Sequence, residues 1–591
     1  MVSAEEVQQA VREQHRDLRV RGPPRSMRLT RGCGHRDHDI AEDPVGQGRR
    51  WDSGRDRVAH GEREDVGGLV HASEGSVEIV DGPIVGEHDR QFGLRHRERG
   101  EHAVGPALHA SRERRVVSLQ VVATDCGGHG RVVGYPRAMF ERILIANRGE
   151  VAARLARTLR RLGADTVALC AAGEESSVHV QACDTHVLLA SSQHPDPYRD
   201  LGAVVRAAKE SGCQAVHAGY GLFDRGPEIA RSLERAGIVH VGPAPDLVVL
   251  LRDRVGIRQA AAEAGLRVLA ASSRPLGALA DERWGDDVRE EVAALGLPLV
   301  VKPAFGLAEP SSLEVLHDLD GVEAWILAHA RNPDREPVVL ERHVERPRHV
   351  EVYVVGDGVD HVVVGDVESS VRKDHRRVIA ESPAPAIDCL HRGAAVRSAV
   401  WAAALDLAGE VRLRGVAAVH FLFDAEGHFH FVGMRPGLAP EHALVEMCAS
   451  VDLVEVECLL ALGESLPKSA TSAEPTGHAV QARVEAALDP RDGRPFPGRT
   501  DDVRWPPAPT GRVRIESSVQ PGSRVTVHDD PLVASVATYA PTRHEAVLAL
   551  DRVVAETRIA PLTTNLRLLR RALNHESFRA LTVDEGFLDR P

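Results

Sequence analysis

The segment Val419–His442 reads VHFLFDAEGHFHFVGMRPGLAPEH. Apolar residues alternate from Val419 to Phe423 and again from His428 to Val432, with Asp424, Ala425, Glu426 and Gly427 between the two runs. A period of two on both sides of a short break containing glycine predicts a β-hairpin. Beyond it, Met434, Arg435, Pro436 and Gly437 form an irregular passage that ends at Glu441 and His442. A hairpin followed by a charged loop that returns a carboxylate is a place where chemistry can be built. By strand parity His428 and His430 are expected on the side opposite to position 433, so His420, His428 and His430 are expected not to converge on a metal ion.

Upstream of the hairpin, the chain alternates between short apolar runs and helical periodicity. Residues 140–146 read as a buried strand, residues 147–150 as a turn, and Val151–Leu162 as a helix. Strands at Val167–Cys170, Thr185–Ala190 and Ala215–His217 follow, with helices near Leu201–Ser211 and Pro227–Ala236. This βα alternation is the pattern of a doubly wound α/β domain.

Composition narrows the possible functions. At 591 residues with 43% hydrophobic content the chain is long enough for several domains with real cores. A formal charge of −13 argues against nucleic acid as a partner. No apolar run is long enough to span a membrane, and no signal-peptide core follows Met1. The eight cysteines include no C-x-x-C pair and read as reduced thiols of a cytoplasmic protein. Basic residues are almost all arginine; the lysines are Lys209, Lys302, Lys373 and Lys468.

Residues 1–138 differ from the rest. They are rich in Arg, Gly, His and Asp, lack lysine and show no sustained apolar period. Cys33, His35 and His38 match no common zinc spacing. The segment reads as disordered or as a mis-called N-terminal extension, with Met139 as the true start.

Specific phrases follow from Met139 onward. ILIANRGEVAAR (143–154), HVQACD (179–184), HAGYGLF (217–223), HVGPAPDLVVLLRDR (240–254), ERPRHVEVY (345–353), ESPAP (381–385), GHAVQARVEA (477–486) and TTNLRLLR (563–570) occur in that order. Together with the hairpin they resemble the biotin carboxylases, an ATP-grasp family. Carbamoyl-phosphate synthetases share the ATP-grasp plan, but HAGYG, RHVEV and the late TTN phrase favour biotin carboxylase. The resemblance implies a biotin carboxylase-like α/β fold in three parts. These are an N-terminal doubly wound α/β domain (139–243), an ATP-grasp domain (244–465) with a lid near 270–343, and a C-terminal α+β domain (466–591).

The resemblance also implies site residues. For the bicarbonate half these are Glu441 as base, Arg377 in place of a lysine, and Arg483 as support for the biotin enolate. For ATP they are Arg254, Lys302, the hinge residues Glu341, Arg342 and Val344, and the pocket histidines His349 and His375. Elsewhere the chain departs from the family. The two Mg²⁺-binding glutamates of the hairpin fall on His420 and Gly433, the nearby asparagine on Arg435, and the catalytic arginine on Gly437. The glycine-rich phosphate loop becomes the stretch 302–311, where Phe305, Leu307, Glu309 and Pro310 replace flexible amide donors. Asp224, Arg225 and Gly226 replace a further family phrase.

The framework is kept while the metal ligands, phosphate loop and catalytic arginine change. The expected function is that of a biotin carboxylase-family protein of an acyl-CoA-type carboxylase system, with impaired catalysis, acting as a partner or regulatory subunit. ATP is expected to be weak or vestigial, and no metal ligand set is assigned. Biotin, for which no attachment phrase is seen, would come on a separate carrier protein. Expected partners are a second copy or an active paralogue, in a homodimer or heterodimer, with biotin carrier and carboxyltransferase chains and neither nucleic acid nor membrane. Two other readings stand beside this one. One is an active ATP- and bicarbonate-dependent biotin carboxylase in which Arg435 replaces the lost arginine and Asp424 or Glu426 reaches a metal. The other is a nucleotide-sensing module without turnover.

Overall fold

Ile143, Leu144 and Ile145 are all fully buried, and they set the first layer of the fold. The computed structural model of the protein describes residues 139–590 apart from 190–195, 222–226, 278–282, 307–312, 331–335, 375, 489–493, 508–510 and 528–529. The expected N-terminal extension, most of the phosphate-loop stretch, residues 224–226 and His375 therefore lie outside the described residues.

Strands β1 (Arg142–Ile145), β2 (Asp165–Cys170), β3 (Thr185–Leu188), β4 (Ala215–His217) and β5 (Val239–Val241) form a sheet in the order β3-β2-β1-β4-β5. All its pairs are parallel. A parallel sheet is covered on both faces, so its strands carry continuous apolar runs, as β1 and β2 do. The helix Gly149–Arg161 leaves β1 through Gly149, whose φ of 67° suits glycine. It buries Val151, Leu155 and Leu159 and carries Arg160 and Arg161 in its last turn, where cations suit the helix dipole. Asn147 Nδ2 donates to the carbonyls of Ala218 (2.7 Å) and Tyr220 (2.8 Å), which staples the ANRG loop to the HAGYG loop.

The lid region holds an antiparallel sheet, β6 (Leu299–Pro303), β7 (Glu314–Leu316) and β8 (Val338–Arg342), in the order β7-β6-β8. The helices Trp284–Leu295 and Leu319–Ala330 accompany it, and Trp284 meets Trp325 edge-on at 5.6 Å.

The largest sheet has eight strands. These are β9 (Arg348–Asp357), β10 (His361–Lys373), β11 (Arg376–Ser382), β12 (Arg414–Phe423), β13 (Phe429–Pro436), β14 (His478–Glu485), β16 (Val513–Ser517) and β18 (Leu532–Ala540), in the order β13-β12-β9-β10-β11-β14-β18-β16. β11 pairs with β14 from Ile379↔Ala482 to Ser382↔Ala479, so one sheet runs through the expected ATP-grasp and C-terminal regions. β15 (Gly498–Arg504), β17 (Ser523–Val525) and β19 (Arg558–Pro561) form a small separate sheet.

The expected hairpin is β12 and β13. Its register shifts between His420 and Phe421: His420 pairs with Gly433, Phe421 with Phe431 and Leu422 with His430. Val432 is the extra residue of a β-bulge, and one extra residue reverses parity along the strand. The expectation that His430 faces away from the metal positions is therefore corrected, because His430 opposes Leu422, which shares a face with His420. Phe421, Phe423 and Phe431 fill the opposite, core-facing side.

Among the described residues no helix is long and apolar enough to cross a membrane. The six described cysteines are free thiols.

Candidate active site

Glu441 precedes the helix His442–Ala449 and is 0% exposed. The structure brings all three expected catalytic residues together around it. Arg377 Nη1 donates to Glu441 Oε2 at 2.9 Å, and Arg483 Nη1 donates to Oε1 at 3.4 Å. Arg377 lies on β11 and Arg483 on β14, neighbouring strands of the large sheet. Burial alone would push the Glu441 carboxyl up. The guanidinium of Arg377, helped by Arg483 and Arg435, outweighs burial and the repulsion of Glu351 and holds it below its ordinary range. Glu441 is thus an anion held between cations, and Arg377, whose charge burial opposes, is kept firmly protonated by Glu351 and then Glu441.

Arg377 has a second carboxylate. Its Nη2 lies 2.7 Å from Glu351 Oε1, which also accepts from Ser369 Oγ at 2.7 Å. Glu351 was not singled out in the sequence, although the alternation of His349, Glu351 and Tyr353 in ERPRHVEVY placed it on the polar face of a strand. Glu585 was missed too. It accepts from His349 Nδ1 at 3.1 Å and pairs with Arg372 at 3.3 Å, from a C-terminal stretch with no motif of its own.

Of the expected ATP residues, Lys302, Glu341 and Arg342 lie on the lid sheet. Lys302 on β6 is ion-paired with Glu341 on β8, so it must exchange that carboxylate for any phosphate. Arg254 Nε donates to the Pro303 carbonyl at 2.8 Å, and burial lowers its pKa against the pull of Glu341. Arg342 Nη1 reaches the Leu295 carbonyl at 2.9 Å, away from Glu341. Val344 is buried, as an adenine slot requires. The Gly306 amide donates to the Arg252 carbonyl at 2.9 Å and is committed within the protein. His349 sits on β9 of the large sheet, with Nε2 2.9 Å from His420 Nδ1.

Residues 139–248 match the family "Biotin carboxylase, N-terminal domain". Residues 253–469 match "Carbamoyl-phosphate synthase L chain, ATP binding domain", and 481–590 match "Biotin carboxylase C-terminal domain". The biotin carboxylase of Halalkalibacterium halodurans is 32% identical over 458 residues, covering 76% of this chain and 97% of that protein. The chain belongs to the biotin carboxylase family. The mitochondrial methylcrotonoyl-CoA carboxylase subunit alpha of Oryza sativa is 31% identical over 457 residues, and the match spans 60% of that longer protein. Among solved structures, the biotin carboxylase domain dimer of Hydrogenobacter thermophilus 2-oxoglutarate carboxylase, with MgADP, ADP and bicarbonate, superposes with a TM-score of 0.69. It is 25% identical and covers 77% of this chain and 98% of its own.

Within that family frame, the residues present do not fit the Mg²⁺ that the family's hairpin glutamates would hold, in line with the doubt the sequence raises. The register makes positions 420 and 433 direct partners, yet they carry an imidazole and a hydrogen atom. A Cβ built on Gly433 would meet nothing within 4 Å, so there is room for a side chain but no donor. Arg377, Arg435 and Arg372 all act on His420 and repel a hard cation held by charge. Asp424 and Glu426 group with His428 at the hairpin tip rather than with His420. Gly437 has φ 74°, a left-handed geometry that an arginine adopts only at a cost.

Proposed function

We propose that this biotin carboxylase-family ATP-grasp protein serves an acyl-CoA-type carboxylase system as a catalytically impaired partner or regulatory subunit. One observation carries the reading. The paired positions 420 and 433, where the family resemblance calls for two metal-binding carboxylates, hold His and Gly, and position 437 beside them holds Gly. Phosphoryl transfer to bicarbonate joins two anions, so its barrier depends on cations placed at the developing charge. Glu441 remains as a base, but a base without positioned bicarbonate has little to act on.

The relatives support the kind of system. Those named above are a biotin carboxylase, a methylcrotonoyl-CoA carboxylase subunit and a 2-oxoglutarate carboxylase domain dimer. We propose a homodimer or a heterodimer with an active paralogue, in the cytoplasm, served by separate biotin carrier and carboxyltransferase chains. ATP binds weakly, through the Val344 slot and Lys302 once it leaves Glu341.

A second reading, the active biotin carboxylase, is favoured by one feature. Arg435 acts electrostatically on Glu441, so a guanidinium is already near the anion although position 437 has lost one. Phosphate release by the full chain with ATP, Mg²⁺ or Mn²⁺, bicarbonate and free biotin separates the two. Turnover stimulated by bicarbonate and abolished in Glu441→Ala establishes the enzyme; its absence supports the partner subunit.

A further inference from the structure

His349, Glu351 and His420 converge on one face of the large sheet, and one ligand atom from each lies within 4.8 Å of the others. The register sets this spacing. Glu351 pairs directly with His420 across β9 and β12, while His349, two residues before it, opposes Leu422 on the same side. The partners determine the tautomers. The ionised carboxylate of Glu585 only accepts, so His349 donates to it through Nδ1–H at 3.1 Å and keeps a lone pair on Nε2. That lone pair faces His420 Nδ1 at 2.9 Å, which donates to it. In the same cluster Glu351 Oε2, the oxygen that Arg377 and Ser369 do not engage, is buried without a hydrogen-bond partner. Buried polar atoms are rarely left so, because each forfeits its hydration without return.

We infer that His349, Glu351 and His420 bind a borderline divalent ion of the zinc class where the family frame expects magnesium. His349 ligates through Nε2, His420 through Nδ1, and Glu351 through a carboxylate oxygen. The proton on His420 Nδ1 moves to Nε2 of the same ring, so both imidazoles stay neutral and no net proton is released. Two imidazole nitrogens on a tetrahedral ion with bonds of about 2.0–2.1 Å sit about 3.3 Å apart, so the 2.9 Å contact has only to open slightly. Glu585 then completes a carboxylate–histidine–metal arrangement that fixes the His349 ring.

The surroundings select the ion. Arg372, Arg377 and Arg435 act on His420, and Glu351, Glu441 and Glu585 formally offset them. A hard ion drawn by net negative charge finds none here, whereas zinc bonds to directional nitrogen lone pairs. Three protein donors leave a fourth position for water or a small oxygen anion. The second group, Asp424, Glu426 and His428, is more exposed, and its Asp424 already accepts from the His428 amide at 2.8 Å.

The test uses the full chain stripped with chelator and titrated with zinc against a competing chromophoric chelator. X-ray absorption is then measured on the one-equivalent complex. The expected result is one tight equivalent with two imidazole ligands, not displaced by about a thousandfold excess of Mg²⁺. His420→Gln should weaken it about 100-fold or more, Glu585→Gln about 10–100-fold, and His428→Gln should leave it unchanged. A tight equivalent that survives His420→Gln, an absorption spectrum without imidazole, or no tight equivalent at all overturns the site. If circular dichroism shows His420→Gln unfolded, Glu585→Gln and the spectrum of the unmodified chain decide.

Discussion

Glu441 and position 433 belong to the same expected cleft and stand in opposite surroundings. Around Glu441 both expected arginines are in place, Arg377 at 2.9 Å and Arg483 at 3.4 Å, and Gln481 Nε2 holds the neighbouring Pro440 carbonyl at 3.0 Å. Across the hairpin, the two facing positions where the family resemblance places metal carboxylates carry His420 and Gly433. The difference lies in what each residue is bonded to. The phrases that survive are joined to one another. Arg154 of ILIANRGEVAAR reaches Glu446 and Asp452, and His478 of GHAVQARVEA lies 3.1 Å from Glu381 of ESPAP. Asn565 of TTNLRLLR donates to the Arg483 carbonyl at 3.0 Å. Removing one member of such a pair strands a buried partner, so the pairs persist with the fold. A metal carboxylate is bonded chiefly to its ion, and it can be lost without unfolding anything.

Four experiments test this contrast. The largest effect is in catalysis. Removing one electrostatic element of a transition state costs on the order of 10²–10³ in rate, and three are changed, at His420, Gly433 and Gly437. Bicarbonate- and biotin-dependent ATP hydrolysis should stay at background even in Gly437→Arg, which restores one element at a left-handed position. A rate in that variant well above the unmodified chain would show that the arginine position alone limits turnover.

Next comes stability. Arg377→Met leaves buried Glu351 and Glu441 without their shared cation, and Arg154→Met does the same to buried Glu446 and half-buried Asp452. Each should cost about 3–5 kcal/mol in denaturant unfolding. His420→Gln should cost far less. Equal losses in all three would erase the distinction between framework and site.

A smaller effect separates them by pH. Burial, then Asp530, pushes the Glu150 carboxyl from 4.5 up to about 8, although Tyr220 Oη donates to it at 3.2 Å. The folded chain therefore keeps this proton between pH 4.5 and 8 while the unfolded chain releases it, and stability falls as pH rises through that window. The slope is on the order of 1 kcal/mol per pH unit, and Glu150→Gln should flatten it. Glu446 runs the other way. Its pKa, which burial raises, is held at about 2 by Arg154 and Arg514, so its contribution is present above pH 4.5 and lost as pH falls toward 2. An unfolding profile of Glu150→Gln identical to that of the unmodified chain from pH 5 to 8 would count against the buried acid.

The smallest effect concerns nucleotide. Calorimetry with and without Mg²⁺ should give ATP affinities within about threefold of each other, because no hairpin carboxylate holds the ion. A large gain on adding Mg²⁺ would relocate the metal ligands.

Much of this was legible in the sequence. Periods of two and 3.6 residues mark the α/β elements and the hairpin, and eight collinear phrases mark the family. Identity at a position is also a sequence property, so the losses at 420, 433 and 437 could be read directly. What could not be read depends on contacts between residues far apart in the chain. Glu441 meets Arg377 and Arg483 from separations of 64 and 42 residues, and Glu585 meets His349 across 236. The side of the strand that His430 takes also escaped, because parity is exact only while pairing is regular, and the bulge at Val432 shifts it by one. The order of residues alone is enough to name the family and the positions that depart from it. The tertiary structure decided what now stands beside the replacements, since ion pairs and ligand clusters form in space between groups whose spacing along the chain carries no trace of it.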